Sequence, residues 1–391
     1  MLHAIIMAGG AGTRFWPESR RLRPKQLLPL VAQRSMLQLT FDRLTGLVPP
    51  ERTLVVTGAV LAEAVAQQLP ELPPESIVGE PCKRDTAPCI GLAAMLVSQR
   101  DPDATLVVLP SDHVVRPEES FREALRAAVQ LVEERPGPAE QPGQATPDQA
   151  PRLLGAAGVL RDADAGTRIV TLGIRPSYPA ESFGYIQRGE SYSTSAGGRL
   201  NVYRARQFRE KPVAAVAREY FESGDYYWNS GIFVWKAETI LSALADRQSE
   251  THGRLRRITD AWTSPSAQAV FAREYEAIRG ISIDYAVMEQ ATDVLVIEAP
   301  FEWDDVGSWR SLARLRGADP QDNTIVGRHL GLDTSGCIVR GPDDHLIVTL
   351  GLKDCIVVHT PDATLVANKQ DEEAIRKVVQ LLEERGWREY L

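Results

Sequence analysis

Much of the architecture follows from one segment, residues 2–26, which reads LHAIIMAGGAGTRFWPESRRLRPKQ. Leu2 to Ala8 is an apolar run too short for a helix of its own, and it predicts a buried strand. The run leads into a loop rich in glycine, which is followed by Arg14 and Lys25. Glycines let backbone N–H groups approach an anion because no Cβ intervenes, and the two cations add full positive charge. The segment therefore predicts a polyphosphate-binding loop.

The loop differs from two common phosphate-binding motifs. A P-loop requires Gly-Lys-Ser/Thr at a fixed offset, whereas Gly12 is followed here by Thr13 and Arg14. A dinucleotide fingerprint requires a third glycine where this chain has Phe15, and an acidic residue after the second strand, which ends here in Gly58. The loop thus argues against a P-loop NTPase and against an NAD-dependent enzyme.

Length, composition and charge limit the class of protein. The 391 residues suffice for one large domain or for a large and a small one, and 43% hydrophobic with 25% charged residues is ordinary for a soluble globular protein. The net charge of −8 argues against a nucleic-acid or membrane-surface partner, so a polyanion site must be locally basic. Neither a membrane span nor a signal peptide is expected, and the cysteine spacing suits a reducing cytoplasm.

Strand-like and helical patterns alternate through the first third, which favours a parallel, doubly wound α/β sheet. Thr105 to Leu109 is the clearest buried strand, and Asp112 follows it. A carboxylate in that position points into the ligand crevice and suits a hard cation, although turn or capping aspartates are also common there. Thr86 with Pro88 predicts the start of a helix, directly after a segment that contains Glu80.

Three motifs in the middle of the chain are weak individually: a glycine turn at Phe183–Ile186, a charged strand end at Phe208–Pro212 and a strand start at Trp228–Phe233. Further on, Asp304 and Asp305 lie in a turn rich in Trp and Gly, where two adjacent acids are also compatible with a solvated surface. None of these motifs indicates a function by itself, and only their combination and order do.

Other features predict structure rather than chemistry. Asp284 is interpreted as the N-cap of the helix that follows it. His113 has no second histidine at metal-binding spacing and is interpreted as structural. Residues 135–152 are rich in Pro, Gly and Gln and predict a mobile surface insertion without a catalytic role.

Short strands separated by turns begin at about Asn323 and predict a small β-rich domain, a partial β-helix, which ends in a helix from Asp371 to Arg385. The predicted organisation is a catalytic domain at residues 1–318 and a C-terminal domain at residues 319–391.

The string GGAGTRFWPESRRLRPKQ resembles the signature of the sugar-phosphate nucleotidyltransferases, and its Phe-Trp-Pro resembles the mannose-1-phosphate guanylyltransferase branch. The likeness extends to about Leu315 through EPxxRDTAP, GYI, FxEKP, NSGIF and FxWxDVGSW. The resemblance implies a Rossmann-like, GT-A type α/β domain with a mixed, mostly parallel central sheet. It also implies transfer of GMP from GTP to α-D-mannose 1-phosphate, with Mg²⁺ as cofactor and pyrophosphate as the second product.

The resemblance also assigns roles to residues. Arg14 and Lys25 are the implied catalytic residues, and Asp112 and Asp305 the implied metal ligands. The implied nucleotide-binding residues are Ala8, Gly9, Gly10, Gly12, Thr13, Glu80, Arg84, Thr86 and Ala87. The implied sugar-phosphate-binding residues are Gly184, Tyr185, Glu210, Lys211 and Asn229. Guanine presents N1–H and a 2-amino group, which the Glu80 carboxylate or neighbouring backbone carbonyls would accept, and the choice between the two stays open.

Other functions are also compatible with the sequence. The same chemistry is compatible with another sugar 1-phosphate or another nucleoside triphosphate. A catalytically silent regulatory subunit is a second alternative, but Arg14, Lys25, Asp112 and Asp305 are all present, which argues against it. The expected partners are GTP and mannose 1-phosphate, with no nucleic acid and no membrane, and a homodimer is one option for the assembly.

Overall fold

The computed structural model describes residues 1–10, 12–134, 168–192 and 200–391, so the predicted insertion at 135–152 lies outside the described residues. The chain divides into two compact units, each assembled from segments that are separated in sequence. The first unit comprises Met1–Ile5, Arg84–Leu109 and Glu119–Pro300. The second unit comprises Ile6–Lys83, Pro110–Glu118 and Phe301–Leu391. The domain boundary after residue 318 stays a prediction.

The described residues form strands and helices in alternation over much of their length. The strands are β1 (Leu2–Ala8), β2 (Thr53–Gly58), β3 (Ile77–Glu80), β4 (Thr105–Pro110), β5 (Val114–Arg116), β6 (Ile169–Ile174), β7 (Tyr185–Ser191), β8 (Val202–Arg209), β9 (Tyr226–Lys236), β10 (Val294–Glu298), β11 (Glu302–Asp304), β12 (Thr324–Val326), β13 (Arg328–Leu332), β14 (Ile338–Arg340), β15 (Leu346–Leu350), β16 (Cys355–His359) and β17 (Thr364–Asn368). The helices are α1 (Met36–Asp42), α2 (Ala62–Gln68), α3 (Thr86–Ser98), α4 (Glu118–Glu133), α5 (Ala214–Ser223), α6 (Ala237–Arg247), α7 (Ser249–Asp260), α8 (Ala267–Glu276), α9 (Ile283–Ala286), α10 (Trp309–Arg316) and α11 (Ile375–Glu384).

The first unit is built on a mixed sheet with the strand order β1-β4-β9-β6-β10-β8-β7, to which β1 contributes its first residues. Strands β6 and β10 run parallel, whereas β9 runs antiparallel to both β4 and β6. Helix α3 packs against α6 and α7. All its residues from Ala87 to Val97 are buried, because its sequence is apolar on every side. The mixed α/β sheet predicted from the sequence is therefore confirmed.

The second unit contains the strand order β3-β2-β1 and the coils of a β-helix. Strands β12, β14 and β16 pair in parallel, and β13 pairs in parallel with β15. This alternation between two parallel ladders is the geometry of a partial β-helix. The antiparallel β17 and helix α11 follow it, which confirms the predicted β-rich C-terminal part.

One hydrophobic core of the second unit joins residues from distant parts of the sequence. Phe15 and Trp16 follow the glycine loop, Val306 and Trp309 belong to the FxWxDVGSW motif, and all four pack in one cluster. The same cluster includes residues of the β-helix and of the terminal helix, among them Ile338, Ile356, Val358, Leu365, Ile375 and Leu382. The C-terminal strands therefore share their core with the loop that carries the phosphate-binding signature.

Most element boundaries agree with the sequence patterns. Helix α1 begins after Ser35, whose side chain forms a capping box with Gln38, and α3 begins at Thr86 as predicted. The terminal helix is a correction: it begins only at Ile375, because Lys369–Ala374 forms a 3-10 turn with Asn368 as its cap. Among the described helices, none has the length and apolar character needed to cross a bilayer.

Candidate active site

The glycine loop is shaped by close contact with the segment that contains Lys25. Gly12 has φ +58°, and a Cβ at this position would lie 2.8 Å from the backbone nitrogen of Lys25. A residue with a side chain would be strained by its backbone conformation and would also collide with that segment. The carbonyl of Ala8, at the end of β1, accepts hydrogen bonds from Gln26 at 2.8 Å and from Thr57 at 2.9 Å. These contacts hold the loop and the Pro24–Gln26 segment together.

Lys25 connects the two predicted metal ligands. Its ammonium group lies 2.8 Å from Oδ2 of Asp112 and donates to the main-chain carbonyl of Asp305 at 2.5 Å. The Lys25 side chain is 7% exposed, so this charge is held almost entirely inside the protein. The structure thus brings together Lys25, Asp112 and Asp305, which are separated by up to 280 residues in sequence.

The two carboxyl groups have different pKa values. Burial alone would raise the pKa of Asp112, but Lys25 and His113 hold it below its usual value. Burial raises the pKa of Asp305, and the negative charges of Asp304 and Asp112 add to this effect, with Lys25 opposing it. The Asp305 carboxyl group is therefore buried beside two other carboxylates, and Lys25 offsets their effect on its pKa only in part.

The donor set is compatible with a magnesium ion. Mg²⁺ is usually held by one or two carboxylates and completes its shell with water and substrate phosphates. In the part of the chain that the structure describes, no group of three or more His, Cys, Asp or Glu side chains forms a metal cage. A Cβ on Gly307 would lie 2.7 Å from Oδ2 of Asp305, so only glycine leaves space beside this carboxylate. Asp112 and Asp305 fit Mg²⁺, whose binding stays a prediction.

Asp304, for which no role was predicted, locks the loop that carries Asp305. Val306 has φ +48°, a conformation that a β-branched residue rarely adopts, and it is fully buried. Asp304 accepts a hydrogen bond from the Val306 N–H at 2.7 Å and pairs with Arg314 at 2.8 Å. These contacts compensate for the strain at Val306 and fix the direction of Asp305.

Arg14, the second predicted cation, has two partners in the second unit. Its Nη1 donates to the carbonyl of Gly307 at 3.2 Å, next to the loop of Asp305. Its Nε lies 3.0 Å from the carboxylate of Glu373, a residue that no sequence motif singled out. Arg14 therefore lies beside the Asp305 loop, as the predicted site requires, and it carries an ion pair.

His113 agrees with its structural interpretation. Its Nδ1 accepts a hydrogen bond from the indole N–H of Trp303 at 3.1 Å, and the two rings form an edge-to-face pair. Burial, reinforced by the cations Lys25 and Arg43, lowers the pKa of His113 to about 4. The imidazole is therefore neutral at physiological pH and orients the strand end next to Asp112.

Glu80, the predicted hydrogen-bond acceptor for guanine, lies in the second unit. It is the last residue of β3 and is 8% exposed. A Cβ on Gly9 would lie 3.8 Å from Oε2 of Glu80, so the carboxylate is a neighbour of the first glycine of the loop. Gly10 has open space around its α-carbon, and Thr13 begins a 3-10 turn directly after Gly12.

Three other predicted nucleotide-binding residues lie in the first unit at the start of α3. Arg84 accepts at its carbonyl a hydrogen bond from Ile281, and Ala87 donates to the carbonyl of Ile281 at 3.1 Å. The Thr86 hydroxyl accepts from the backbone N–H of Ile283 at 2.8 Å. The start of the helix is therefore fixed to the 281–283 segment, and the role of these residues in base binding stays a prediction.

The predicted sugar-binding residues cluster within the first unit. Lys211 pairs with Glu210 at 2.9 Å. A Cβ on Gly184 would lie 2.5 Å from Oε2 of Glu210 and 3.3 Å from Cβ of Asn229, so these three residues are neighbours. Asn229 also donates its backbone N–H to the Gly184 carbonyl at 2.8 Å. Tyr185 differs: its side chain has no exposed surface and packs against other tyrosine rings, so it presents no surface to a ligand.

Asp284 belongs to this cluster, and its predicted capping role is wrong. Helix α9 is capped by Ser282, whose hydroxyl accepts from the Tyr285 N–H at 3.4 Å. The Asp284 carboxylate instead accepts a hydrogen bond from the side-chain amide of Asn229 at 3.0 Å. Burial and the nearby charge of Glu210 raise the pKa of Asp284 to about 7. Ser282 and Asp284, two positions apart, are both suitable capping residues by sequence. The contact of Asp284 with Asn229 depends on tertiary packing, which the sequence pattern does not show.

Known families and proteins are similar to this chain over most of its length. A nucleotidyl transferase family model matches residues 3–137 and 154–321, and a MannoseP isomerase/GMP-like β-helix domain model matches residues 327–382. The mannose-1-phosphate guanylyltransferase of Klebsiella pneumoniae is 34% identical over 393 residues, covering 100% of this chain and 76% of its own length. The mannose-1-phosphate guanylyltransferase ManC of Salmonella typhimurium is 35% identical over a match of 397 positions that covers 100% of this chain and 75% of that protein.

A solved structure from Thermus thermophilus, named mannose-1-phosphate geranyltransferase, is 35% identical and superposes with a TM-score of 0.79 over 98% of this chain and 99% of its own. Fold, site and relatives together define a nucleotidyltransferase. Within that class, the chain belongs to the mannose-1-phosphate guanylyltransferase family, whose reaction is the transfer of a nucleotidyl group to a sugar phosphate.

Proposed function

We propose that this protein transfers GMP from GTP to α-D-mannose 1-phosphate and releases GDP-mannose and pyrophosphate. The observation that carries the proposal is the contact of Lys25 with both Asp112 and Asp305 beside a glycine loop. This arrangement supplies positive charge and a pair of hard-cation ligands at one place, as polyphosphate chemistry requires. Its occurrence in a member of the guanylyltransferase family favours GTP and mannose 1-phosphate over other substrate pairs.

The reaction needs positioning more than acid–base chemistry. The attacking phosphate oxygen of the sugar phosphate is already an anion at pH 7, so no general base is required. Lys25 contacts the phosphate that is transferred, and Arg14 contacts the pyrophosphate that departs. Asp112 and Asp305 would hold Mg²⁺, which would supply positive charge next to the phosphate oxygens. Catalysis then consists of holding two polyanions in line and neutralising the charge that develops.

The sugar is recognised by the cluster in the first unit. Glu210 is 8% exposed, and together with the Asn229 amide and the Gly184 backbone it offers the mixture of acceptors and donors that a polyol needs. Lys211 is 58% exposed and acts as a point charge for the sugar phosphate. The ion pair between Lys211 and Glu210 keeps the lysine charged, since Glu210 raises its pKa against the effect of burial.

The choice of guanine is assigned to the segment around Glu80. The Glu80 carboxylate, or the backbone carbonyls beside it, would accept from the N1–H and the 2-amino group of guanine. A base that lacks this pair of donors would form fewer hydrogen bonds there, which is how a polar pocket rejects the wrong ligand. The proposed enzyme works in the cytoplasm, where GTP is available, and binds neither nucleic acid nor membrane.

The test is pyrophosphate release in the presence of Mg²⁺, with GTP, UTP, dTTP and ATP each paired with mannose 1-phosphate and with glucose 1-phosphate. Release with GTP and mannose 1-phosphate in preference to the other pairs is expected, together with its loss in Asp112→Ala. The matched control is Asp343→Ala, which removes an exposed carboxylate from the β-helix.

Each of the other outcomes has a clear meaning. Turnover with another pair would retain the mechanism but overturn the assignment of Glu80 or of the sugar cluster. Nucleotide binding without turnover of any pair would point to a silent regulatory subunit. Unchanged activity of Asp112→Ala would remove Asp112 from the metal site.

A further inference from the structure

The C-terminal segment Lys369–Ala374 reaches the cation that the proposed mechanism assigns to pyrophosphate. Nε of Arg14 lies 3.0 Å from Oε1 of Glu373 and 3.2 Å from Oε2, so both carboxylate oxygens face the same guanidinium. The two residues are 359 positions apart in sequence and belong to the same compact unit. The Glu373 carboxylate is therefore an anion that binds Arg14 at the place proposed for the phosphate oxygens of pyrophosphate.

The position of Glu373 is fixed by its neighbour. Glu372 is 8% exposed, and its carboxylate accepts a hydrogen bond at 3.2 Å from the backbone N–H of Arg310. Arg310 lies in the first turn of α10, the helix that follows the Asp305 loop. Glu372 therefore attaches the segment to the start of this helix, while Glu373 extends toward Arg14.

Arg14 is held between two contacts of different kinds. The carbonyl of Gly307 accepts from Nη1, and this contact directs the guanidinium along the Asp305 loop. The carboxylate of Glu373 neutralises its charge but is itself 65% exposed, so it can rotate into solvent at small cost. The arginine side chain is 25% exposed and remains accessible to an incoming ligand.

We propose that Glu373 is an affinity-determining residue of the nucleotide site: its carboxylate occupies Arg14 in the nucleotide-free enzyme and is displaced by the terminal phosphates of the triphosphate. The inference rests on the role that the proposed function gives to Arg14. A polyphosphate then binds only in competition with Glu373, and pyrophosphate leaves more readily because the carboxylate returns to the arginine. The C-terminal segment thereby tunes both the binding of substrate and the release of product.

The competition predicts that removing the carboxylate tightens polyphosphate binding. Glu373→Gln should bind inorganic tripolyphosphate about two- to fivefold more tightly than the wild type, the range expected for an exposed ion pair that no longer competes. Glu373→Lys should tighten binding further, since it adds a cation beside Arg14. The control Glu383→Gln removes one negative charge from the exposed face of α11 and should leave the affinity unchanged.

The experiment is isothermal titration of the full chain with tripolyphosphate at constant ionic strength, repeated in an Arg14→Gln background. In that background Glu373→Gln should have no effect, because a double-mutant cycle isolates the contact between the two side chains. Steady-state kinetics provide a second measurement: Glu373→Gln should lower KM for GTP more than it changes kcat.

Three results would overturn the proposal: weaker or unchanged binding in Glu373→Gln, the same gain in Glu383→Gln, or a gain that persists without Arg14. A wild type that binds tripolyphosphate but turns over no sugar phosphate would count against the proposed function alone, since the titration requires no turnover.

Discussion

Lys25 carries a buried positive charge beside both predicted metal ligands. Lys25→Ala should lower kcat by roughly 10²- to 10³-fold, as expected when one preorganised electrostatic group is removed from a phosphoryl-transfer site. KM for both substrates should change less than kcat, because the lysine acts on charge that develops during transfer. The measurement is pyrophosphate release under saturating substrate, with Lys377→Ala as a control on the exposed face of α11. A reduction smaller than tenfold would show that Lys25 is structural.

Asp304 offers a test of the strained loop. Asp304→Ala removes the acceptor of the Val306 N–H and the partner of Arg314, so the positive φ of Val306 loses its support. We expect a loss of about 1.5–3 kcal/mol in the free energy of unfolding, the range for hydrogen bonds to a charged group, and a weaker apparent affinity for Mg²⁺. Thermal unfolding and metal titrations of turnover check both effects. If Asp304→Ala behaved like the exposed Asp343→Ala, Asp304 would have no such role.

Asp284 predicts a pH dependence of stability. Its pKa is raised from 3.8 to about 7, so the folded state binds this proton more tightly than the unfolded chain does. The corresponding stabilisation is complete below the unfolded pKa and is lost as the pH rises toward 7. The groups that act on Asp284 are Glu210, Lys211 and Asp85.

Asp284→Asn removes this ionisation and retains an acceptor for Asn229. The Tm of the variant relative to wild type should therefore be more favourable at pH 8 than at pH 5. Scanning calorimetry at the two pH values measures the difference, and Asp246→Asn makes the same chemical change at an exposed position. An equal relative Tm at both pH values would contradict the expected titration of Asp284.

At the scale of elements, the C-terminal residues hold the signature loop. The indole N–H of Trp16 donates to the carbonyl of Tyr390 at 2.8 Å, and Arg20 donates to the same oxygen at 2.5 Å. Removal of residues 386–391 leaves the indole without its acceptor, which should cost about 1–3 kcal/mol and lower activity with it. Tyr390→Ala retains the carbonyl and should cost less than the truncation. Equal thermal stability of the truncated and full chains would exclude this role.

Local sequence signals made the helices and strands predictable. Contacts between residues far apart in sequence could not be predicted in this way. Three features depend on residues within a few positions of one another: the glycine loop, the buried strand before Asp112 and the start of α3 at Thr86. Glu373 lies 359 residues from Arg14, and Asp284 lies 55 residues from Asn229. The chemistry of such pairs depends on which segments pack together, so the sequence indicated the components of the site but neither of these partnerships.

At the scale of the whole molecule, the thermal stability of the fold should not depend on a bound metal ion. In the described residues no cage of three or more metal-binding side chains exists, and Lys25 already compensates the charge of Asp112. Chelation should therefore abolish turnover and leave Tm unchanged, and added Mg²⁺ should restore activity. Unfolding monitored by circular dichroism with and without chelator tests this, with pyrophosphate release measured on the same samples. A large fall in Tm on chelation would indicate a structural metal.

The shared core of the second unit also has a consequence for the order of synthesis. Phe15 and Trp16 leave the ribosome early, but their partners Ile356, Val358 and Leu382 belong to a segment that is made far later. At about 5–20 residues per second, the interval between the two segments is roughly 17 to 70 seconds. During that time Phe15 and Trp16 can pack against early partners of the same core, such as Leu28, Leu30 and Met36, but not against the β-helix residues that complete it. The core behind the glycine loop is therefore complete only after the β-helix strands have emerged.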